Sequence, residues 1–168
     1  SSERQRGDQL DALRATIADI SSELELPRLL QSILQRAINL LHATGGDLGL
    51  YDENKGEIKI LVSLNMGKDY TGTCMAVGEG AMGMAVKTRH PIIIDDYQHW
   101  ENASPQYKDG SWQAVLAAPL IIGRRIVGAM GITVQDPQRK FTSTDQYLIS
   151  LFAQHAAIAV DNARLYLT

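Results

Sequence analysis

An α+β domain is what this sequence predicts, on three observations. A weakly charged run over 113–135 has a polar, glycine-containing reversal at its centre, a second pair of strand-like segments flanks a polar turn over 47–64, and helical patterns occupy both ends of the chain. Hairpins bring antiparallel strands, and a helix with a broad apolar face is suited to covering them. The 168 residues, 45% hydrophobic, suffice for one substantial core, and no Pro/Gly/Ser-rich linker divides them.

Taken in order, Leu10, Leu13, Ile17, Ile20 and Leu24 recur at spacings of three and four with charged residues between them. So narrow a stripe suits a helix–helix seam between two copies of the chain, with packing inside one copy as the alternative; about two heptads fall short of a firm coiled coil. Pro27 suits a helix start, and Leu29, Leu30, Ile33, Leu34, Ala37, Ile38 and Leu41 form the broad face of that second helix. Ala43-Thr44-Gly45-Gly46 is expected to end it, glycine tolerating the left-handed conformation. Strands at 47–51 and 57–64 flank the turn Asp52-Glu53-Asn54-Lys55-Gly56, and 65–75 reads as irregular. Gly78-Glu79-Gly80 leads into a short helix over 81–88 that lacks the spacing of a dinucleotide or phosphate loop.

Ile92-Ile93-Ile94 reads as a compact strand ending in Asp95-Asp96. A long polar segment follows over 97–112, holding Tyr97, Trp100, Tyr107 and Trp112, and segments of that length serve as lids or binding loops. In the central hairpin, 114–122 and 126–134 are the strands. Pro119 argues for a strand end or bulge, while Gly128 and Gly131 need a reason such as close approach of a packed helix or ligand. Thr142-Ser143-Thr144-Asp145 resembles a capping box ahead of an alanine-rich helix over 147–166. Leu148, Phe152 and Ala159 can face the sheet, and Leu151, Ile158 and Leu165 lie on an adjoining stripe open to another helix.

A net charge of −3 gives no basic footprint for nucleic acid, a single cysteine, Cys74, fits a reducing compartment, and no apolar run is long enough to span a bilayer. A cytoplasmic location without membrane contact is therefore expected of this segment.

The segments GEGAMGMAVKTRHPIIIDD, VLAAPLIIGRRIVGAMGIT and FTSTDQYLISLFAQHAAIAVDNARLY together resemble a GAF domain, the sensing and dimerising module of signalling proteins, over about 24–166. The resemblance implies an antiparallel sheet of about five or six strands with the terminal helices on one face and a short helix plus pocket-enclosing loops on the other. It also implies a sensor domain over 25–168 preceded by a signalling and dimerisation helix over 1–24, without catalysis of its own, in a parent whose leading candidate output is a histidine kinase. The sequence departs from the family's subgroups. Trp112-Gln113 stand where many members carry Arg-Ser, the cyclic-nucleotide pattern NKFDE is missing, and a single cysteine supports neither bilin attachment beside a histidine nor a resolving pair for sulfoxide reduction.

Candidate ligand-binding residues are Met82, Asp95, Asp96, Tyr97, Trp100 and Trp112, around a cavity bounded by 66–84, 95–97 and 100–112. With methionines, aromatic rings and few fixed cations, the site should favour a neutral or weakly polar molecule over a phosphate. Adjacent strand carboxylates point to opposite faces, so Asp95-Asp96 reads as a strand-end turn or hydrogen-bonding group before it reads as an acid–base or metal pair. The four histidines share no ligand spacing and no serine sits in a nucleophile elbow, so no catalytic set, metal centre or cofactor is expected. Leu10, Leu13, Ile17, Ile20, Leu24, Leu151, Ile158 and Leu165 are the candidate homodimer seam.

Overall fold

The computed structural model describes residues 2–107 and 110–167, with side chains except those of 2, 15–24 and 165–167. Its elements run α1 (Ser2–Leu40), β1 (Gly45–Asp52), β2 (Glu57–Leu64), β3 (Cys74–Ala76), α2 (Gly80–Thr88), β4 (Ile92–Ile94), β5 (Ala114–Ile122), β6 (Arg125–Val134) and α3 (Ser143–Leu167), with short 3₁₀ turns at Tyr97–His99 and Pro105–Tyr107. The strands form one sheet in the order β3-β2-β1-β6-β5-β4, every neighbour antiparallel. The expected α+β class and sheet are thus present.

Period-two alternation divides β5 and β6 between two cores. Leu116, Ala118, Leu120, Met130 and Ile132 lie under α1 and α3, where Leu30, Leu34, Ala37, Ile149, Ala153 and Ala156 meet them. Val115, Ala117 and Ala129 face the opposite side, covered by α2 and the 97–112 segment. In β2 the alternation breaks. Leu48 pairs with Val62 but Gly49 with Ile60, so Leu61 is an extra residue, and the bulge lets Ile58 and Ile60 face the α2 side while Val62 faces the helices. On α3 the deepest residues are Ile149, Ala153, Ala156 and Ala157, with Leu148 and Phe152 only partly buried at the margin.

Four local expectations are corrected. Pro27 lies inside α1, so the two helices expected on either side of it are one; burial of Leu30, Ile33, Leu34 and Leu41 offsets the missing backbone hydrogen bond. The left-handed residue after α1 is His42 (φ 53°), with Ala43 N–H donating to the Ile38 carbonyl at 2.9 Å, while Gly45 and Gly46 already belong to β1. Those glycines serve close approach: a Cβ at Gly45 would lie 2.3 Å from the Asn65 carbonyl oxygen. The irregular 65–75 segment ends in β3, too short to show periodicity but paired with β2. Pro119 is neither strand end nor bulge but pairs with Ala129 inside β5; β4 reaches only Val115–Ala117, so that strand is an open edge there, where proline is tolerated.

The capping box forms as read. Thr142 N–H donates to Asp145 Oδ2 at 2.8 Å and Asp145 N–H to Thr142 Oγ1 at 3.3 Å. Arg139 joins two helix ends, donating to Asp145 Oδ2 at 3.1 Å and to the Leu41 carbonyl at 2.7 Å. Burial would raise the Asp145 carboxyl, but the hydrogen bonds from Arg139 and Thr142 outweigh it and hold it below the ordinary carboxylate range. Arg139→Ala is therefore expected to cost about 1–2 kcal/mol in urea denaturation, with Arg139→Lys recovering only part because one ammonium lacks the planar fork.

Candidate functional site

Between the sheet and its α2-side cover lies a cavity of about 30 Å³, room for one or two water-sized groups. Its floor is strand side chains: Asp47 of β1, Gly131 and Thr133 of β6, and Val115 of β5. The register places Asp47 beside Gly131 on one side and Ser63 on the other. Gly131 faces α2 without the close approach expected of it, since a Cβ there would sit 3.4 Å from Cγ of Met82, an ordinary van der Waals contact, and Met66, Met75 and Met82 form the walls. Tyr97, Tyr107 and Trp112 close the cavity.

Those three rings belong to an aromatic cluster. Trp112 lies edge-on to Tyr107 at 5.8 Å between centroids and tilted to Tyr97 at 6.1 Å, while Tyr70 stacks on Tyr107 at 4.4 Å. The segment carrying them is latched at many points. Gly80 N–H donates to the Asn102 carbonyl at 2.9 Å, Ser104 N–H to the Tyr97 hydroxyl at 3.1 Å, Gln106 Nε2 to the Cys74 carbonyl at 3.2 Å, and Gln98 Nε2 to the Gly110 carbonyl at 2.7 Å. Ser104, fully buried, also donates to Glu79 Oε1 at 3.3 Å. The described residues of the long polar stretch are thereby a cover joined to α2 and β3.

Asp47 is the chemical centre of the site. It is 2% exposed; its Oδ2 accepts the Tyr107 hydroxyl at 2.7 Å, and its Oδ1 has no hydrogen-bond partner among the described residues. Burial pushes the carboxyl up to about 6, against the Ser63 and Tyr107 hydroxyls, which favour the charged form. Burial, then the Asp47 charge, raises the Tyr107 phenol, and burial raises Tyr97 to about 12, so both stay protonated at neutral pH.

Of the expected ligand residues, Met82, Tyr97 and Trp112 line this cavity. Asp95, Asp96 and Trp100 do not: both aspartates are exposed where β4 runs out into solvent, the cheap place for adjacent charges, and Trp100 packs on Tyr97 at 5.8 Å from outside. Asp96 is paired with the exposed His99 at 2.9 Å. Cys74 is half-buried on β3, and Met84 is absent from the lining. Asp47 and Thr133 escaped the sequence reading, and Tyr107 was named in the long segment but not among the candidate ligand residues. The available signal was an acid inside GGDLGLYD, a strand otherwise apolar, aromatic or glycine up to its last residue.

On the helix side, Leu10 and Leu13 are 54% and 55% exposed, Leu151 and Ile158 47% and 45%. Ile17, Ile20, Leu24 and Leu165 lie outside the described side chains. No described helix is long and apolar enough to cross a membrane.

A six-stranded antiparallel sheet, with helices from both ends of the chain on one face and a roofed cavity on the other, defines a small α+β domain. The GAF domain model matches residues 23–161, and the chain belongs to the GAF domain family. Its fold is shared with the GAF domain from an Acinetobacter phosphoenolpyruvate-protein phosphotransferase (TM-score 0.74, 16% identity, 94% of this chain and 95% of that one). It is likewise similar to residues 122 to 287 of a methyl-accepting chemotaxis protein (0.71, 15%, 90% and 96%). A third similar structure is the free methionine-R-sulfoxide reductase from Neisseria meningitidis in complex with its substrate (0.67, 13%, 90% and 86%). Identities this low speak for the fold alone.

Proposed function

We propose that this domain is a non-catalytic sensor of a signal-transduction protein, with a histidine kinase as the leading parent, which binds a small molecule in the Asp47 cavity and dimerises through its terminal helices. The observation carrying the reading is a buried carboxylate with an unused acceptor, facing a cavity beneath a latched aromatic cover. At about 30 Å³ the closed cavity takes only a small head group, so a larger molecule requires the 97–112 cover to open. The competing reading, an enzyme, takes its support from the sulfoxide reductase with the same fold. Against it stands the lone Cys74, which can form no disulfide within this chain. Native mass spectrometry of the purified domain is the test: an adduct released on denaturation supports sensing, and turnover of free methionine sulfoxide would replace it with the enzyme.

The described side chains of α1 from residues 3 to 14 are all exposed, and Leu26 is the first described one packed against the helix-side core. An exposed helix of that length carrying Leu10 and Leu13 gains stability from a partner helix, each buried side chain contributing roughly 1.5–3 kcal/mol before association costs. A parallel homodimer supplies that partner, with Leu151 and Ile158 of α3 extending the seam, and a shift between its helices is the route to an output module. Leu13→Glu with Leu151→Glu should give monomers in sedimentation while the circular dichroism of the sheet is kept. A double variant that stays dimeric, or a monomeric wild type, sinks the seam.

A further inference from the structure

We infer that the Asp47 cavity is a receptor for the protonated amine of a small organic molecule, a primary ammonium head group. This rests on the reading of the cavity as a ligand site and adds the ligand's chemistry. The argument is complementarity. Asp47 Oδ1 is a buried acceptor without a donor among the described residues. The polar groups around it make no hydrogen bond to Oδ1: the Tyr107 hydroxyl donates to Oδ2 at 2.7 Å, the Thr133 hydroxyl donates to the Gly45 carbonyl at 3.4 Å, and neither the Tyr97 hydroxyl, which accepts from Ser104 N–H, nor the hydroxyl of Ser63 opposite Asp47 on β2, which favours the charged carboxyl, makes one to it. Among the described residues no Lys, Arg or His lines the cavity. Around this one carboxylate stand the π systems of Tyr97, Tyr107 and Trp112 and the sulfurs of three methionines, all electron-rich.

A primary ammonium satisfies each of these at once. It brings three N–H donors and a unit charge to Oδ1, and aromatic rings stabilise a desolvated cation by their negative faces. Its head matches the cavity volume without any side chain moving, and its alkyl portion would follow the opening of the cover. A carboxylate or phosphate ligand would meet Asp47 as a like charge without a compensating cation. A neutral alcohol offers Oδ1 a single donor and no charge. Hard cations such as Ca²⁺ and Mg²⁺ take six or more oxygen ligands, which one carboxylate does not supply, and among the described residues no group of three His, Cys, Asp or Glu comes together to hold an ion.

The experiment is ligand-observed saturation-transfer NMR on the whole domain, with methylammonium and n-propylammonium as probes and methanol and n-propanol as their uncharged counterparts. Wild type is expected to give saturable signals from the ammonium probes, weakened at least about tenfold in Asp47→Asn and in Trp112→Leu, with the alcohols much weaker in every variant. Asp47→Asn keeps an acceptor for the Tyr107 hydroxyl, and Trp112→Leu keeps an apolar cover, so each variant's folding is checked by its thermal transition. If Asp47→Asn does not fold, the contrast between amine and alcohol in the wild type and in Trp112→Leu decides. Alcohols binding as well as amines, with no loss in Asp47→Asn, overturn the amine assignment and leave the cavity a ligand site. Silence from all four probes overturns both readings and leaves a cavity filled by water.

Discussion

Gly128→Val should lower the stability of the domain by about 3 kcal/mol or more in urea denaturation, among the largest losses any single surface-to-core change here can cause. The cause is backbone, not side chain. A Cβ at Gly128 would lie 2.3 Å from the Gly49 carbonyl oxygen and 3.2 Å from Cδ2 of Leu120. Gly49 sits at the β1–β2 bulge, and Gly128 pairs with Leu120 next to a second irregularity, where Ile121 pairs with Ile126 and Val127 is left over. Both central strands are pinned there between cores on either face, so neither can yield without moving helix-side or cavity-side packing. Gly7→Ala is the control, because a Cβ there meets nothing within 4 Å; in an exposed helix the same added methyl should be neutral or stabilising. Wild-type stability for Gly128→Val would show that the strands separate more easily than this packing allows.

The two glycines of β6 illustrate what the sequence tells and what it leaves out. Glycine inside an apolar strand announces a close approach, and only coordinates say that Gly128 has one, against a neighbouring strand's carbonyl, while a Cβ at Gly131 would make ordinary contact with Met82. The hairpin of β5 and β6 was legible because its apolar run and its turn are local features, as was the capping box at Thr142 and Asp145. Leu148 and Phe152 were assigned to the sheet face, while the alanines that allow α3 to approach closely carried no comparable signal.

Half of the expected ligand residues line the cavity for a related reason. Aromatic residues in a long segment are conspicuous, so Tyr97 and Trp112 were found, as was Met82. Asp95-Asp96 drew attention as a pair of acids, but a paired charge at a strand end is most easily left in water, and that is where it lies. Asp47 was passed over because alternation in β1 assigns it to the face opposite Leu48 and Leu50, and the expectation of a short helix and loops over that face does not say which strand residues they bury. The cover makes contacts that follow no sequence period, and it turns a surface acid into a buried one.

Asp47→Asn is expected to abolish a loss of stability that the wild type suffers between about pH 4 and pH 7. The carboxyl titrates near its ordinary value of 3.8 in the unfolded chain and is pushed up by burial to about 6 in the folded one. Below the lower value both states are protonated and burial costs nothing for charge. As pH rises through the upper value, the unfolded chain has already lost its proton and the folded protein must ionise a desolvated carboxylate, so stability falls with pH. About two pKa units correspond to roughly 3 kcal/mol, the ceiling of the effect. Asparagine does not titrate in this range, and contributions of the other acids cancel when the variant's denaturation midpoints are subtracted from the wild type's at each pH. The difference should therefore tilt against the wild type as pH rises; parallel curves would mean that Asp47 is solvated in solution and the cover stands open. A saturating ammonium probe should flatten the tilt, because a cation beside Oδ1 favours the charged carboxylate and restores stability at neutral pH by mass action. A tilt that persists unchanged under a probe shown by NMR to bind would place that probe away from Asp47.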